Sequence, residues 1–303
     1  MSSSKENAET LYLGVDGGGS KCRASLVSSA GDIIGTGLSG PANPLHGLSR
    51  TLESIEDASV QAMESAGLSS TDLSQVVVGM GLAGVNLPGL YEQVANWQHP
   101  FASCYLTTDL HVACLGAHRG GDGAVIVVGT GSCGFSTVDG KSVSLGGHGF
   151  LLGDKGSGAW MGLKAIKSVL TAADGLSVPT QLTQAVTDIY QVSGLEIIER
   201  LSKSSSSDFA KLAPSVIKAA ESGDEVAINI VSSAAEYVSA LARKLLVMDP
   251  PRLSLIGGIS GPLSTWLDED VVKRIEAPLD QPEMGAVYFA RQQQQCELSG
   301  VVA

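Results

Sequence analysis

Short apolar runs separated by glycine-rich turns mark the first part of the chain. Residues 11–15, 22–28 and 33–38 are such runs, and the turns between them are rich in Gly, Ser and Asp. Apolar segments of this length, bounded by turn residues, are typical of β-strands. The pattern therefore predicts three consecutive strands joined by tight turns.

Residues 123–147 repeat the same strand–turn–strand–turn–strand plan. The two blocks share their architecture more than their individual residues. One interpretation is a duplicated domain, in which the two glycine turns face each other across a cleft. The alternative is that the blocks look alike only because any two short β-meanders do.

Apolar residues at helical spacing follow each block. In residues 49–66 the apolar positions lie three or four residues apart, and Gly67 ends the predicted helix. Further helices are predicted over residues 110–118, 157–172, 209–221, 224–248 and 284–295, further strands over residues 76–81, 101–109 and in the run RLSLI, and a Ser-rich surface loop over residues 201–208. This mixture predicts an α/β fold with two domains that separate near residues 110–122.

Composition and charge narrow the possible functions. The chain has 303 residues, 44% of them hydrophobic, which is enough material for two cores. A formal net charge of −12 makes it a poor candidate for binding nucleic acid, because phosphates repel an acidic surface. No apolar run approaches the roughly 18 residues of a membrane span, and the polar start does not resemble a secretory signal.

The cysteines favour a reducing compartment. There are five of them, an odd number, and no CxxC pair occurs. This pattern argues against a disulfide framework, a structural zinc site and a compact thiolate cluster. We therefore expect a cytoplasmic protein with neither nucleic acid nor a membrane as partner.

The first glycine turn, DGGGSK, is a candidate phosphate-binding loop. Backbone N–H groups without side chains around them can surround phosphate oxygens, and a neighbouring hydroxyl and ammonium group would add to the attraction. The aspartate at the strand end could hold Mg²⁺, which prefers oxygen ligands. The alternative is a plain hairpin turn with an Asp–Gly signal. The residues concerned are Asp16, Gly17, Gly18, Gly19, Ser20 and Lys21.

Two more apolar strands run into glycine turns. In VVGTGS, Thr130, Gly131 and Ser132 combine hydroxyl groups with a flexible backbone, and in LIGGIS the turn contains Gly257 and Gly258. Each motif alone is weak, since neither is a P-loop or a dinucleotide fingerprint. Together the three turns suggest one polyphosphate that is held from two sides.

Three polar residues are candidates for contact with a second substrate. Asp109 lies where a predicted strand gives way to a helix, so it is either a helix N-cap or a carboxylate that accepts a proton, and the two are compatible. Asn43 lies between two prolines, where its amide could bind sugar hydroxyls or merely belong to a surface loop. Asp154 lies in a glycine-rich approach to a helix whose N-terminus could also face an anion.

In order along the chain, GVDGGGSK, TTD, GTGS, GDKGSGAWMG and GGI resemble the amino-sugar kinases of the BadF/BadG/BcrA/BcrD-type ATPase family, within the actin–hexokinase–chaperone superfamily. The resemblance covers residues 11 to about 290. It implies two ribonuclease-H-like α/β domains, residues 10–115 and 116–285, with a cleft between them and a C-terminal helix, residues 286–297, that packs back on the first domain. It also implies ATP and Mg²⁺ as cofactors and a homodimer.

The resemblance assigns a role to each candidate residue by its position. Residues 16–21 match a first phosphate loop with Asp16 near Mg²⁺, residues 130–132 match a second, and Gly257 and Gly258 match the adenosine motif. Asp109 matches the catalytic carboxylate, and Asn43 and Asp154 match sugar-contacting positions.

The implied reaction is transfer of the ATP γ-phosphoryl group to the 6-hydroxyl of an amino sugar. His148 stands where the acetylglucosamine enzymes of animals have a tryptophan, which favours glucosamine over N-acetylglucosamine. The alternatives are an N-acetylglucosamine kinase, an iron–sulfur ATPase activator of a reductase or dehydratase, and a filament, chaperone or repressor relative without kinase activity.

Overall fold

The computed structural model of the chain describes residues 10–300, which contain two β-sheets in two separate units. The first unit comprises the described residues up to Asp122 and those from Pro278 onwards, and the second unit comprises Gly123–Ala277. The predicted domain boundaries are at 115/116 and 285/286, whereas the units change at 122/123 and 277/278. The last helix therefore begins, as well as ends, within the first unit.

The secondary structure alternates between strands and helices along most of the chain. The strands are β1 (Tyr12–Gly17), β2 (Cys22–Val27), β3 (Ile33–Ser39), β4 (Val77–Leu82), β5 (Ser103–Thr108), β6 (Gly123–Val128), β7 (Ser132–Val138), β8 (Lys141–Gly146) and β9 (Leu253–Ile256). The helices are α1 (Leu48–Ser65), α2 (Pro88–Ala95), α3 (Asp109–Ala117), α4 (Gly158–Ala173), α5 (Leu182–Tyr190), α6 (Glu196–Leu201), α7 (Ser206–Ala210), α8 (Ala213–Glu221), α9 (Glu225–Leu246), α10 (Ser260–Ser264), α11 (Glu269–Val272) and α12 (Pro282–Ser299).

The two sheets repeat one topology. In the first unit the strand order is β3-β2-β1-β4-β5, and in the second it is β8-β7-β6-β9. Each begins as an antiparallel meander and then continues in parallel beside its first strand, with β4 and β5 in the first unit and with β9 alone in the second. The repeated meander predicted from the sequence is present, and the fold is a two-domain actin-like α/β fold.

Two glycines let α12 lie directly on the sheet of the first unit. A Cβ atom on Gly14 of β1 would overlap the carbonyl oxygen of Glu283, and one on Gly79 of β4 would overlap that of Ala286. These residues pair with each other in the parallel β1–β4 register. The N-terminal turn of α12 thus lies over the middle strands of the sheet.

The second unit packs its helices around a larger apolar core. Helices α4, α8 and α9 contribute most of it, and the inward face of α9 includes Val231, Val238 and Leu245, all fully buried. Asp224 begins α9 by accepting a hydrogen bond from Ala227 N–H at 2.9 Å, as an N-cap does.

The sequence interpretation is wrong over part of the second unit. Residues 209–221 do not form one helix: α7 ends at Ala210 and α8 begins at Ala213. The Ser-rich stretch is not only a loop, because Ser205 and Asp208 form a capping box that starts α7. Helices α5, α6, α10 and α11 of this unit have no counterpart in the prediction, nor does α2 of the first unit. Over residues 10–300 none of the helices combines the length and apolar character needed to cross a membrane.

Candidate active site

The carboxyl ends of β1, β4 and β5 form one edge of the first sheet. These strands are parallel and in register, so that Asp16, Gly81 and Thr107 lie side by side. Asp109 follows β5 directly as the first residue of α3. Because parallel strands end at the same edge, Asp16 and Asp109 are brought to one edge of the sheet.

The surroundings of Asp16 disfavour the ionised form of its carboxyl group. It points to the same sheet face as Gly14, which α12 covers. Burial raises the pKa of Asp16 to about 7, with further increases from the charges of Asp109 and Glu283, while Lys21 and Arg23 act in the opposite direction. The carboxyl group therefore lacks sufficient positive charge around it, and a cation placed there would be stabilised.

Asp109 is held at the start of α3. Its Oδ1 accepts a hydrogen bond from Leu110 N–H at 2.9 Å. The N-cap itself is Thr108, whose hydroxyl oxygen accepts from His111 N–H at 3.2 Å, so the N-cap alternative for Asp109 is wrong by one residue. Burial raises the pKa of Asp109 to about 6, although hydrogen bonds from backbone N–H groups oppose the increase. A carboxylate with this pKa can accept a proton near neutral pH.

The first glycine turn closes the β1–β2 hairpin. Gly18 N–H donates a hydrogen bond to the carbonyl oxygen of Lys21 at 2.9 Å. The turn is therefore a hairpin turn, which is the structural alternative to a phosphate-binding loop. Gly19, Ser20 and Lys21 are exposed, and a Cβ atom on Gly19 would meet nothing within 4 Å. The turn has room for a ligand, so hairpin and phosphate-binding roles are compatible.

Asn43 lies against the same edge of the first unit. Its Oδ1 accepts from Leu45 N–H at 3.0 Å and caps the short 3₁₀ turn Pro44–His46. A Cβ atom on Gly84, just after β4, would overlap that oxygen. The backbone joins these loops, since Ala42 N–H donates to Gly18 at 2.9 Å. Asn43 is therefore a fixed part of this edge and not a residue of a free surface loop.

The second glycine turn follows β6 in the second unit and is tied to the start of α4. Gly158 N–H donates to Gly129 at 2.8 Å, and Ala159 N–H donates to Thr130 at 3.2 Å. The hydroxyl group of Ser132 donates a hydrogen bond to the backbone carbonyl oxygen of Lys155 at 2.8 Å. The turn and the helix N-terminus are thus built as one rigid piece.

Asp154 lies directly beside this second turn. A Cβ atom on Gly131 would be 2.7 Å from Asp154 Oδ2, which only glycine avoids. Asp154 is buried and has a φ of 53°, a conformation uncommon for residues other than glycine. Burial raises its pKa, against the hydrogen bond from Gly149 N–H and the charge of His148. Strained, buried carboxyl groups of this kind cluster at functional sites.

The third glycine turn lies at the same edge of the second sheet. Strands β6 and β9 are parallel, and Gly257 follows β9 with a φ of 111°. A Cβ atom on Gly257 would overlap the carbonyl oxygen of Val128, where β6 ends. The second unit therefore brings Thr130, Gly131, Ser132, Asp154, Gly257 and Gly258 to one side of its sheet.

The sequence model of the BadF/BadG/BcrA/BcrD ATPase family matches residues 13–290. The chain belongs to this family. The match covers all of the glycine turns and carboxylates described above.

Individual relatives within this range carry sugar-kinase names. The chain is 36% identical over 279 residues to the glucosamine kinase GspK of Vibrio cholerae, covering 92% of this chain and 95% of that one. It is 27% identical to the N-acetyl-D-glucosamine kinase of Dictyostelium discoideum, covering 93% and 98%. A solved structure of a candidate N-acetylglucosamine kinase from Chromobacterium violaceum is 31% identical, with a TM-score of 0.87 and coverage of 93% and 99%.

The donor chemistry of the first unit of this BadF/BadG/BcrA/BcrD-type ATPase fits Mg²⁺. Asp16 offers carboxylate oxygens where burial, and then the charges of Asp109 and Glu283, disfavour its ionised form unless a cation is bound. Over residues 10–300 no group of three or more His, Cys, Asp or Glu side chains could hold a metal ion by itself. This agrees with Mg²⁺ chemistry, in which one or two carboxylates, substrate phosphates and water share the ion.

One residue of this edge was missed by sequence reasoning. Glu283, in the first turn of α12, is only 9% exposed, and its charge raises the pKa of Asp16. The available signal was the sequence QPEMG, in which a proline and an acidic residue open a helix. The family resemblance implies that this helix packs on the first domain, but nothing in the sequence places its first turn beside β1.

Proposed function

We propose that this chain transfers the γ-phosphoryl group of ATP to the 6-hydroxyl of glucosamine, with Mg²⁺ as cofactor. The coarser assignment, an amino-sugar kinase, has the support of all three relatives. The observation that carries the proposal is Asp109, a carboxylate fixed at the carboxyl edge of the sheet with a pKa of about 6.

Asp109 is the proposed proton acceptor. The bond between the 6-oxygen of the sugar and the γ-phosphorus forms as the bond from that phosphorus to the β,γ-bridging oxygen breaks, and ADP leaves. The proton of the 6-hydroxyl passes to a carboxylate oxygen of Asp109. A pKa of about 6 keeps this group ionised at neutral pH and close enough to that pH to return the proton to water afterwards.

We assign the phosphates of ATP to the glycine turns at residues 16–21 and 129–132, and the adenosine to Gly257 and Gly258. Backbone N–H groups in such turns stabilise the charge spread over the transferring phosphoryl group. Bound Mg²⁺ neutralises charge on the phosphate oxygens. Asp16 would hold it, directly or through water.

We assign sugar contact to Asn43 and Asp154. Asn43 keeps its amide nitrogen for a sugar hydroxyl, since its Oδ1 already accepts from Leu45 N–H. The strained backbone and raised pKa of Asp154 support a role beyond packing. The identity of 36% with the Vibrio cholerae enzyme favours glucosamine. N-acetylglucosamine is the second candidate, because two other relatives carry that name.

The test is ADP release by the purified chain with ATP and Mg²⁺ over a panel of glucosamine, N-acetylglucosamine and glucose. Turnover that is strongest with glucosamine supports the proposal. Turnover only with N-acetylglucosamine would leave the proposed mechanism unchanged and make that sugar the substrate instead of glucosamine. Hydrolysis that no sugar stimulates contradicts the proposal. The homodimer and the cytoplasmic location stay predictions, and light scattering after size exclusion tests the first.

A further inference from the structure

Glu283 brings a third carboxylate to the edge that holds Asp16 and Asp109. Its carbonyl oxygen lies against Gly14, two residues before Asp16 on the same sheet face. Further along α12, Gln294 Oε1 accepts a hydrogen bond from the hydroxyl of Tyr12 at 2.6 Å. The helix thus runs antiparallel to β1, and its N-terminus, with Glu283, is the end nearest Asp16.

The carboxylate of Glu283 is buried without a partner in the described part of the chain. The side chain is 9% exposed, and its Oε2 has no hydrogen-bond partner among residues 10–300. None of the ion pairs found over these residues includes it. A buried acceptor that stays unpaired costs free energy. The unpaired Oε2 of Glu283 at this edge therefore indicates a hydrogen-bond donor or cation that binds together with the substrate.

The nearby charges indicate what kind of group that is. The contact of the Glu283 backbone with Gly14, and the position of Asp109 just after β5, place both acidic residues at the edge that holds Asp16. Lys21 and Arg23 are the positive groups that act on Asp16, and neither forms an ion pair with it or with Glu283 among the described residues. Acidic residues at one edge with little compensating charge suit a hydrated divalent cation.

We propose that Glu283 is a positioning residue for the magnesium ion of ATP, whose bound water molecules donate hydrogen bonds to its carboxylate beside Asp16. The inference rests on the proposed function, since it needs a metal–nucleotide complex. Contact through water does not require Glu283 to reach the ion itself, and it is compatible with Asp16 binding the ion directly or through water. Mg²⁺ dehydrates reluctantly and usually keeps several waters, which need acceptors.

The experiment measures binding of Mn²⁺, a paramagnetic substitute for Mg²⁺, to the full chain in the presence of ADP and without sugar. Electron paramagnetic resonance of free Mn²⁺ gives the Kd. Glu283→Gln keeps the size and removes the charge, and Glu283→Asp keeps the charge on a shorter side chain. The matched control is Glu297→Gln, at the other end of α12, where Glu297 accepts a hydrogen bond from Tyr105 at 2.6 Å.

We expect Glu283→Gln to weaken Mn²⁺ binding about tenfold or more, as the loss of an outer-shell partner does at other metal sites. Glu283→Asp should retain more of the affinity, and Glu297→Gln all of it. In EDTA without nucleotide, Glu283→Gln should unfold at the same or a higher urea concentration than the native chain, because it removes a buried, unpaired charge.

Equal Mn²⁺ affinities of the native chain and Glu283→Gln would overturn the inference and leave the proposed function standing. A lower unfolding midpoint of Glu283→Gln with unchanged Mn²⁺ affinity would likewise reduce Glu283 to a structural residue. If the native chain does not bind Mn²⁺ with ADP at all, the proposed function fails together with the inference. Should Glu283→Gln not fold, Glu283→Asp decides through the ratio of its Kd to that of Glu297→Gln.

Discussion

Asp109→Asn should inactivate the protein and stabilise it at the same time. The amide can still accept the hydrogen bond that Leu110 N–H gives to Oδ1 at 2.9 Å, so the start of α3 is preserved. What the substitution removes is a charge that burial disfavours and a site that can take a proton. The two effects have one physical origin and can be measured on one variant.

The stability effect follows from the pKa of Asp109, which burial raises from 3.8 to about 6. Because the folded state binds this proton more tightly, the proton stabilises the fold at low pH, and that contribution is lost as the pH rises through about 6. At about 1.4 kcal/mol per pKa unit, the full loss is about 3 kcal/mol, of which about 2 kcal/mol falls between pH 4 and pH 8. Asn does not titrate, so the variant gains this amount relative to the native chain.

Urea unfolding at a series of pH values, in EDTA and without nucleotide, measures the gain. The difference between the two chains should grow with pH, and the loss of the Asp109 charge also lowers the pKa of Asp16, which adds in the same direction. Asp57→Asn, on the exposed side of α1, is the control. Parallel curves for Asp109→Asn and the native chain would refute the claim that burial sets this pKa.

The activity effect is measured on the same preparations. Loss of a positioned base should lower kcat by roughly 10²–10⁴. The native kcat/KM should fall as the pH drops through about 6, because the protonated carboxyl group cannot accept the sugar proton. Near-normal turnover of Asp109→Asn would remove this residue from the proposed role, whatever its effect on stability.

Two further substitutions test the packing that positions the site. Gly14→Ala should destabilise the first unit by about 1–3 kcal/mol in urea unfolding, because its Cβ would overlap the carbonyl oxygen of Glu283. The control is Gly89→Ala in α2, where a Cβ meets nothing within 4 Å. This substitution should stabilise the first unit by up to about 1 kcal/mol, because alanine favours a helix more than glycine does. Asp224→Ala should cost about 1–2 kcal/mol at neutral pH, since α9 loses the 2.9 Å hydrogen bond from Ala227 N–H to its N-cap. Asp224→Asn should recover only part of this, because the second carboxylate oxygen accepts from Gln181 N–H at 2.7 Å and an amide nitrogen cannot.

Strand ends were the most informative part of the sequence for the candidate site. Asp16 is the next-to-last residue of β1 and Asp109 directly follows β5, and the parallel pairing of β1, β4 and β5 brings these strand ends to one edge. Thr130 and Gly257 follow β6 and β9 in the same way. Local pattern and topology agree at these positions, which is why short motifs sufficed to find them.

Glu283 could not be found in this way, because its neighbours lie at the opposite end of the chain. Its position depends on two glycines, Gly14 and Gly79, whose missing side chains let α12 reach the sheet. A glycine within a strand signals a close backbone approach, but it does not say which segment approaches.

The helices between α4 and α8 were missed for a different reason. All three are short, neither α5 nor α6 begins with a side-chain cap, and the start of α7 lies within a run of serines. The capping box of Ser205 and Asp208 is present in the sequence as S-x-x-D. The run of serines before it favours a loop, so the composition obscures this helix start. The break before α8 follows from Pro214, which occupies the first turn of that helix.

Under the proposed function, the two units use one topology for different chemistry. The first unit supplies the carboxylates of Asp16 and Asp109 beside the glycine turn at residues 16–21, and the second unit supplies glycine turns, Asp154 and the hydroxyl groups of Thr130 and Ser132. Carboxylates repel phosphate unless a cation compensates them, so on this proposal a dependence on divalent metal should originate mainly in the first unit. A cation bound there would also offset the cost of the buried, unpaired Oε2 of Glu283.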